Sequence, residues 1–177
     1  MALASVNVPG RGATDRLLAK VAARLSDDGV RVVGALHPTA EDSDGSTCNC
    51  DLWLLPDGPK VRITQDLGAG STACRMDAGA MEDAVGLATT RFVASGADIV
   101  VLNKFGLSEA EGRGFRSLIA EALGRGVPVL TGLSETHRAA FERYADGMAI
   151  ALPPDEEAIL AWCRTIARPG ADVTEVD

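Results

Sequence analysis

The chain has 177 residues and 46% apolar content, enough to bury the core of one domain. Its formal charge of −8 argues against a general nucleic-acid or anionic-membrane surface, since both need a basic face. No apolar run approaches the roughly 20 residues of a membrane span, and Met1 to Val8 is too short and uncharged for a signal peptide, so a cytoplasmic protein is expected. Its four cysteines are then expected as thiols.

In chain order the pattern alternates between strands and helices. Ala2 to Val8 reads as a strand running into the tight loop Pro9-Gly10-Arg11-Gly12. Thr14 to Leu25 carries the stripe Leu17, Leu18, Val21, Ala22, Leu25 of an amphipathic helix, closed by Gly29. Val30 to Leu36 is a second buried strand, followed by a polar loop from Thr39 to Asn49. Asp51 to Gln65 reads as two short strands around a Pro56-Asp57-Gly58 turn. Asp77 caps a helix through Ser95, and Asp98 to Leu102 is a continuous apolar strand of the kind covered on both faces. Ser108 to Gly124 is predicted as one helix with a capping box from Ser108 to Glu111. A strand at Val127–Thr131, a helix capped by Ser134, a strand at Met148–Leu152 and a helix from Pro153 complete the series. Such alternation predicts an α/β fold of three layers with a mostly parallel sheet and a β-hairpin insertion, and the glycine-bearing loop Asn7 to Thr14 between the first strand and the first helix suggests the P-loop NTPase-like type. One domain over residues 1–168 is expected, with a loose tail over 169–177.

Ligands of such sheets bind beyond the carboxyl ends of the strands, so the loops there carry the functional reading. Asn7-Val-Pro-Gly-Arg-Gly-Ala-Thr14 stands where G-x-x-x-x-G-K-[ST] would cradle phosphates. Gly12 and Thr14 are in register, whereas Asn7 replaces the first glycine and Ala13 the lysine. The amides of Gly10, Arg11, Gly12, Ala13 and Thr14 and the helix dipole still favour an anion, with Arg11 or Arg16 as a source of charge. A tight strand-to-helix turn without a ligand fits the same residues. A second loop, Gln65 to Asp77, offers Ser71, Thr72 and Arg75 for an oxyanion or a ribose-phosphate; its plain alternative is a connection capped by Asp77. A third candidate is Asn103-Lys104 at a strand end. There Asn103 cannot act as an anionic magnesium ligand, while Lys104 is placed to meet a phosphate. Gly106 stands where a guanine-reading Asn-Lys-x-Asp motif needs its acid, and packing by Phe105 is the plain alternative. Arg113 is a further phosphate candidate, read alternatively as an exposed i, i+4 partner of Glu109. Cys48, Cys50, Cys74 and His37 lack the spacing of a structural zinc site, so no metal site is expected, and His37 and His137 read as isolated.

The segments Arg31-Val-Val-Gly-Ala-Leu36, Arg62-Ile-Thr-Gln-Asp-Leu-Gly68, Cys74-Arg-Met-Asp77, Leu102 to Gly114 and Val127-Pro-Val-Leu-Thr131 resemble the bacterial family called domain of unknown function 2478. The resemblance spans Ala2 to Arg168 and is most specific in Asn-Lys-Phe-Gly…Glu-x-Glu-Gly-Arg-Gly. That family is similar to nucleoside-triphosphatases first described from thermophiles, which carry a full P-loop and an Asp-Glu-x-Gly motif. Against that pattern, Ala13 stands for the lysine and Asn103-Lys104 for the Asp-Glu pair. The resemblance also implies a link with molybdate or molybdenum-enzyme genes. Three readings follow. The first is a binding protein for a nucleotide or a tetrahedral oxyanion such as phosphate, molybdate or tungstate, not an efficient hydrolase. The second is a weak nucleoside-triphosphatase with Mg²⁺ held by Thr14 and Asp66 or Glu109, magnesium entering only with a nucleotide. The third is an adaptor with a vestigial site. The oligomeric state stays open.

Overall fold

The computed structural model describes residues 2–38, 51–65 and 75–167. The polar loop at 39–49, Asp66, Ser71, Thr72, Cys48, Cys50, Cys74 and the tail at 169–177 lie outside these residues.

Five mostly apolar strands make the parallel part of the sheet: β1 (Leu3–Val6), β2 (Val32–Leu36), β7 (Ile99–Phe105), β8 (Val129–Leu133) and, at its edge, β9 (Ala149–Leu152). Two antiparallel strands, β3 (Asp51–Leu55) and β4 (Lys60–Arg62), extend the sheet beyond β2, giving the order β4-β3-β2-β7-β8-β1-β9. The predicted hairpin is therefore present, and Arg91 braces its turn by donating to the carbonyls of Leu55 and Gly58, both at 2.7 Å. A separate two-stranded ribbon joins β5 (Thr64–Gln65) to β6 (Arg75–Met76).

Helices cover both faces, because the central strands are apolar on both. On one side α1 (Ala13–Asp27) and α6 (Glu156–Ile166) pack Leu18, Val21, Leu25, Ile159 and Leu160 against Ile99, Val101 and Leu130. On the other, α2 (Ala78–Ser95), α4 (Arg116–Gly124) and α5 (Arg138–Ala145) bury Phe92, Leu118, Ile119 and Phe141 against Val100, Leu102 and Val129. The apolar residues of β7 from Ile99 to Leu102 are wholly buried, as a strand sandwiched between two helix layers must be. Cys163 belongs to this core; burial pushes its thiol up to about 12, which makes it a packing residue rather than a nucleophile.

Two predicted elements differ in detail. Asp77 caps α2 as expected, its carboxylate accepting from the Ala80 amide at 3.0 Å. The helix expected over 108–124 is broken into α3 (Leu107–Ala110) and α4, because Gly112 and Gly114 adopt φ values of 85° and 62°. The predicted Ser108–Glu111 capping box does not form. Glu109 takes that role, accepting from the Gly106 amide at 3.0 Å. The helix after β8 starts later than expected: Ser134 is followed by a 3₁₀ turn at Glu135–His137, and its hydroxyl bonds His137 Nδ1 at 3.1 Å instead of a helix amide.

The start of β7 is held by Asp98, whose side chain is almost fully buried. Burial alone raises its carboxyl pKa, but side-chain and backbone hydrogen bonds from Arg31 and the guanidinium charge outweigh it, and the net direction is down. A carboxyl whose folded-state pKa is depressed contributes stability above the ordinary aspartate pKa of about 3.9 and loses it as pH falls through the folded-state value. Arg31→Ala is therefore expected to cost about 1 kcal/mol at neutral pH, a modest figure because the guanidinium is largely solvated. The gap from the parent should close on acidification below pH ~3.9. Denaturant melts at several pH values check this, and a pH-independent gap contradicts it.

Candidate functional site

The phosphate-type loop sits where β1 leaves the middle of the sheet and enters α1. Gly10 and Gly12 have φ values of 106° and 70°, which lets the chain reverse tightly over Pro9 to Gly12. Thr14 closes the loop: its hydroxyl accepts from the Val8 amide at 3.0 Å and donates to the Val8 carbonyl at 3.4 Å. The Ala13 amide bonds back to the Gly10 carbonyl at 3.3 Å. Among the described residues nothing accepts from the amides of Arg11, Gly12 and Thr14, so these donors and the positive end of a 15-residue helix remain for an anion. Arg11 is exposed. It is Arg16 that folds over the loop, donating to the Arg11 carbonyl at 3.4 Å and standing 3.1 Å from where a Cβ on Gly12 would be.

Asn7, in the place of the first glycine, donates to Glu135 at 3.2 Å, and Glu135 is paired with Arg138. Glu135 belongs to the 3₁₀ turn after β8, so its contact with Asn7 is not visible in the sequence.

Asn103 and Lys104 lie on β7 where its pairing with β8 slips. Val100, Val101 and Leu102 face Val129, Leu130 and Thr131, but Phe105, rather than Lys104, faces Leu133. The extra residue makes a β-bulge, a device that re-aims side chains at sheet ends. In a regular strand neighbours point to opposite faces; here Asn103 and Lys104 line one cavity. Gly132 is the counterpart on β8. A Cβ there would lie 2.1 Å from the Asn103 carbonyl oxygen and 3.0 Å from Thr14 Cγ2, so this glycine lets the bulge and the phosphate-type loop approach each other. Phe105 packs away into the core against Phe141 and Tyr144, with ring centroids 5.3 and 5.5 Å apart.

The bulge cavity measures about 300 Å³, and the two histidines that read as isolated both line it. His37 follows β2 and bonds the Asp51 carbonyl through Nδ1 at 2.9 Å; a carbonyl only accepts, so Nδ1 is the donor and Nε2 takes no part in this bond. An adjoining cavity of about 810 Å³ brings together Arg75 and Arg113 with Ser108, Glu82 and Glu111. The expected Glu109–Arg113 pair does not form, because Arg113 pairs with Glu111. Glu109 is 3% exposed and both its oxygens are occupied, one by the Gly106 amide and one by the Phe115 amide at 2.9 Å. It is a structural clamp and not a substitute metal ligand.

The described residues assemble no site for Mg²⁺; Asp66, the other acid expected beside Thr14, lies outside them. Thr14 is committed to Val8, Asn103 is neutral, and among the described residues no group of three histidine, cysteine or acidic side chains is placed to hold a metal. The predicted residues thus divide into a phosphate-type loop, Gly10 to Thr14, and a second group, Arg75, Asn103, Lys104 and Arg113, on two adjoining cavities. None of the loop residues lines either cavity, and Gly132 is where the two groups meet.

Comparison with known proteins agrees with this architecture. The model of the family described as protein of unknown function (DUF2478) matches residues 3–162. A molybdenum import ATP-binding protein, ModC 2, of Bradyrhizobium diazoefficiens is 35% identical over 150 residues, covering 85% of this chain but only 17% of that protein. The crystal structure of THEP1 from the hyperthermophile Aquifex aeolicus superposes with a TM-score of 0.62 at 16% identity, covering 94% of this chain and 96% of that one. Among the described residues no helix is long and apolar enough to cross a membrane. The chain belongs to the DUF2478 family and has the P-loop NTPase fold.

Proposed function

We propose that the chain binds a nucleotide or a tetrahedral oxyanion at the loop from Gly10 to Thr14 and does not hydrolyse nucleotides efficiently. The observation that carries this reading is the unclaimed set of amides on Arg11, Gly12 and Thr14 at the head of α1, held in place by the Thr14–Val8 bonds. Weak or absent turnover follows from two charges. Phosphoryl transfer is accelerated chiefly by positioned charge, and here Ala13 replaces the lysine while Asn103 replaces the acid. Arg16 supplies a cation from outside the loop, which suits binding more than transition-state stabilisation.

The likeness to part of a molybdenum import ATP-binding protein favours molybdate or tungstate as the oxyanion form of this reading.

Calorimetric titration with ATP, GTP, phosphate, molybdate and tungstate tests the proposal. At least one of these anions is expected to bind, and at about 100 times its Kd to stabilise the fold by about 2.7 kcal/mol. Ala13→Lys, which restores the missing charge, should tighten ATP binding about tenfold, the effect of one added charge-assisted contact. If neither the parent nor Ala13→Lys binds any of the five, the loop is a plain strand-to-helix turn and the reading fails.

A further inference from the structure

We propose that the bulge cavity is a separate site for a flat aromatic acid, that is, a ring bearing a carboxylate or phosphate. Its polar end is built and unspent. Asn103 is only 5% exposed and lines the cavity; its side-chain amide bonds no other described residue, and its polar atoms, unlike the sealed and unpaired Thr89 Oγ1, stay open to the cavity. An amide held in a cavity wall with no protein partner is free to pair with a ligand that displaces the water there. Lys104, beside it on the bulge, has no ion-pair partner among the described residues. His37 and His137 are each anchored through Nδ1, to the Asp51 carbonyl and to the Ser134 hydroxyl, which leaves Nε2 of each ring for a ligand. Glu109, the acidic side chain among the described residues of the wall, has both oxygens taken by backbone amides.

The rest of the lining is largely apolar. Leu52, Ile63 and Met81 are buried there, and Met76 and Leu107, two of the few exposed large apolar side chains, stand at the rim. A concave site with an apolar wall and a few convergent polar groups is the form small-molecule sites take. Methionine sulfur and leucine pack well against ring faces, and an ammonium with an amide beside it selects an acid group at the ring's edge. A metal ion is the poorer occupant, because the histidines have no third acidic, thiol or imidazole partner among the described residues. The site uses no residue of the phosphate-type loop and stands whether or not that loop holds an anion.

The sequence contains two histidines, and both line this cavity from different strands' ends, so a shift of both imidazole signals together reports on it. Untagged protein with ¹⁵N-labelled histidine, free of nucleotide, is titrated with benzoate, nicotinate and phenyl phosphate. At least one is expected to shift both imidazole signals saturably. The neutral nicotinamide should bind about tenfold more weakly than nicotinate, as expected for losing a charge-assisted contact. Lys104→Met, at an exposed position, should melt like the parent and weaken the acid by a similar factor. The proposal is overturned if none of the three acids moves both signals, if nicotinamide binds as well as nicotinate, or if Lys104→Met leaves the affinity unchanged. Equal binding of cyclohexanecarboxylate overturns the aromatic part. Calorimetry with ATP on the same sample reads the phosphate-type loop separately, so failure of one site is not failure of the other.

Discussion

Glu109→Ala is expected to destabilise the protein by about 3 kcal/mol, because two buried backbone donors lose their common acceptor at once. The Gly106 amide bonds one carboxylate oxygen at 3.0 Å and the Phe115 amide the other at 2.9 Å. The carboxylate thereby ties the end of β7 to the start of α4 across the Gly112–Gly114 break. The site is also shaped for this side chain, since a Cβ on Gly114 would stand 2.2 Å from a Glu109 oxygen. Glu109→Gln keeps one acceptor oxygen and should lose about half as much, the amide's nitrogen being no acceptor. Chemical denaturation of the three proteins checks the order. A loss below about 1 kcal/mol in Glu109→Ala would mean that water replaces the carboxylate, and the clamp assignment would be wrong.

Gly132→Ala carries the second large effect. The added methyl meets a backbone carbonyl, that of Asn103, at 2.1 Å, and a main-chain atom cannot swing aside as a side-chain tip does. Overpacking of a fixed core costs about 1–3 kcal/mol and more where the backbone must move; the upper end is expected here. Gly86→Ala is the matched control. It sits in α2 with nothing within 4 Å of its added Cβ, and should stabilise by about 0.5–1 kcal/mol through helix propensity. Because Gly132 adjoins both Thr14 and the bulge, Gly132→Ala should also weaken anion binding at the phosphate-type loop. Destabilisation no greater than for an ordinary surface change would sink the close-approach argument.

Much of the architecture was legible because it depends on local pattern. The apolar run ending at Leu102 could be nothing but a strand covered on both faces, and Asp77 announced a helix by its place before an apolar series. The hairpin after Asp51 followed from its turn residues. The break at Gly112–Gly114 was signalled by two glycines in Glu-Gly-Arg-Gly, yet a periodic pattern on either side masked it. What holds that break, Glu109 reaching the Phe115 amide, is a tertiary choice that spacing does not reveal.

The site was legible in part for the same reason. The loop from Asn7 to Thr14 announces itself by its glycines and its place between a strand and a helix. His37 and His137 share a cavity because β2 and β8 flank β7 in the sheet, an order that no local signal encodes. The bulge is equally silent, since one more residue in an apolar strand changes register and not composition. Arg113 shows the converse error: its i, i+4 relation to Glu109 is meaningful only on a continuous helix, and the helix stops at Ala110.

The slip between β7 and β8 has a consequence for how the family's sequences vary. The extra residue at Asn103–Lys104 and the missing side chain at Gly132 are two halves of one arrangement, so neither can drift alone. A relative that deletes one residue from this strand restores regular pairing, and is then released from glycine at the facing position and loses the paired orientation of the Asn-Lys dipeptide. Aligned members of the family should therefore show strand length, the Asn-Lys pair and that glycine changing together, as one inherited unit rather than three independent positions.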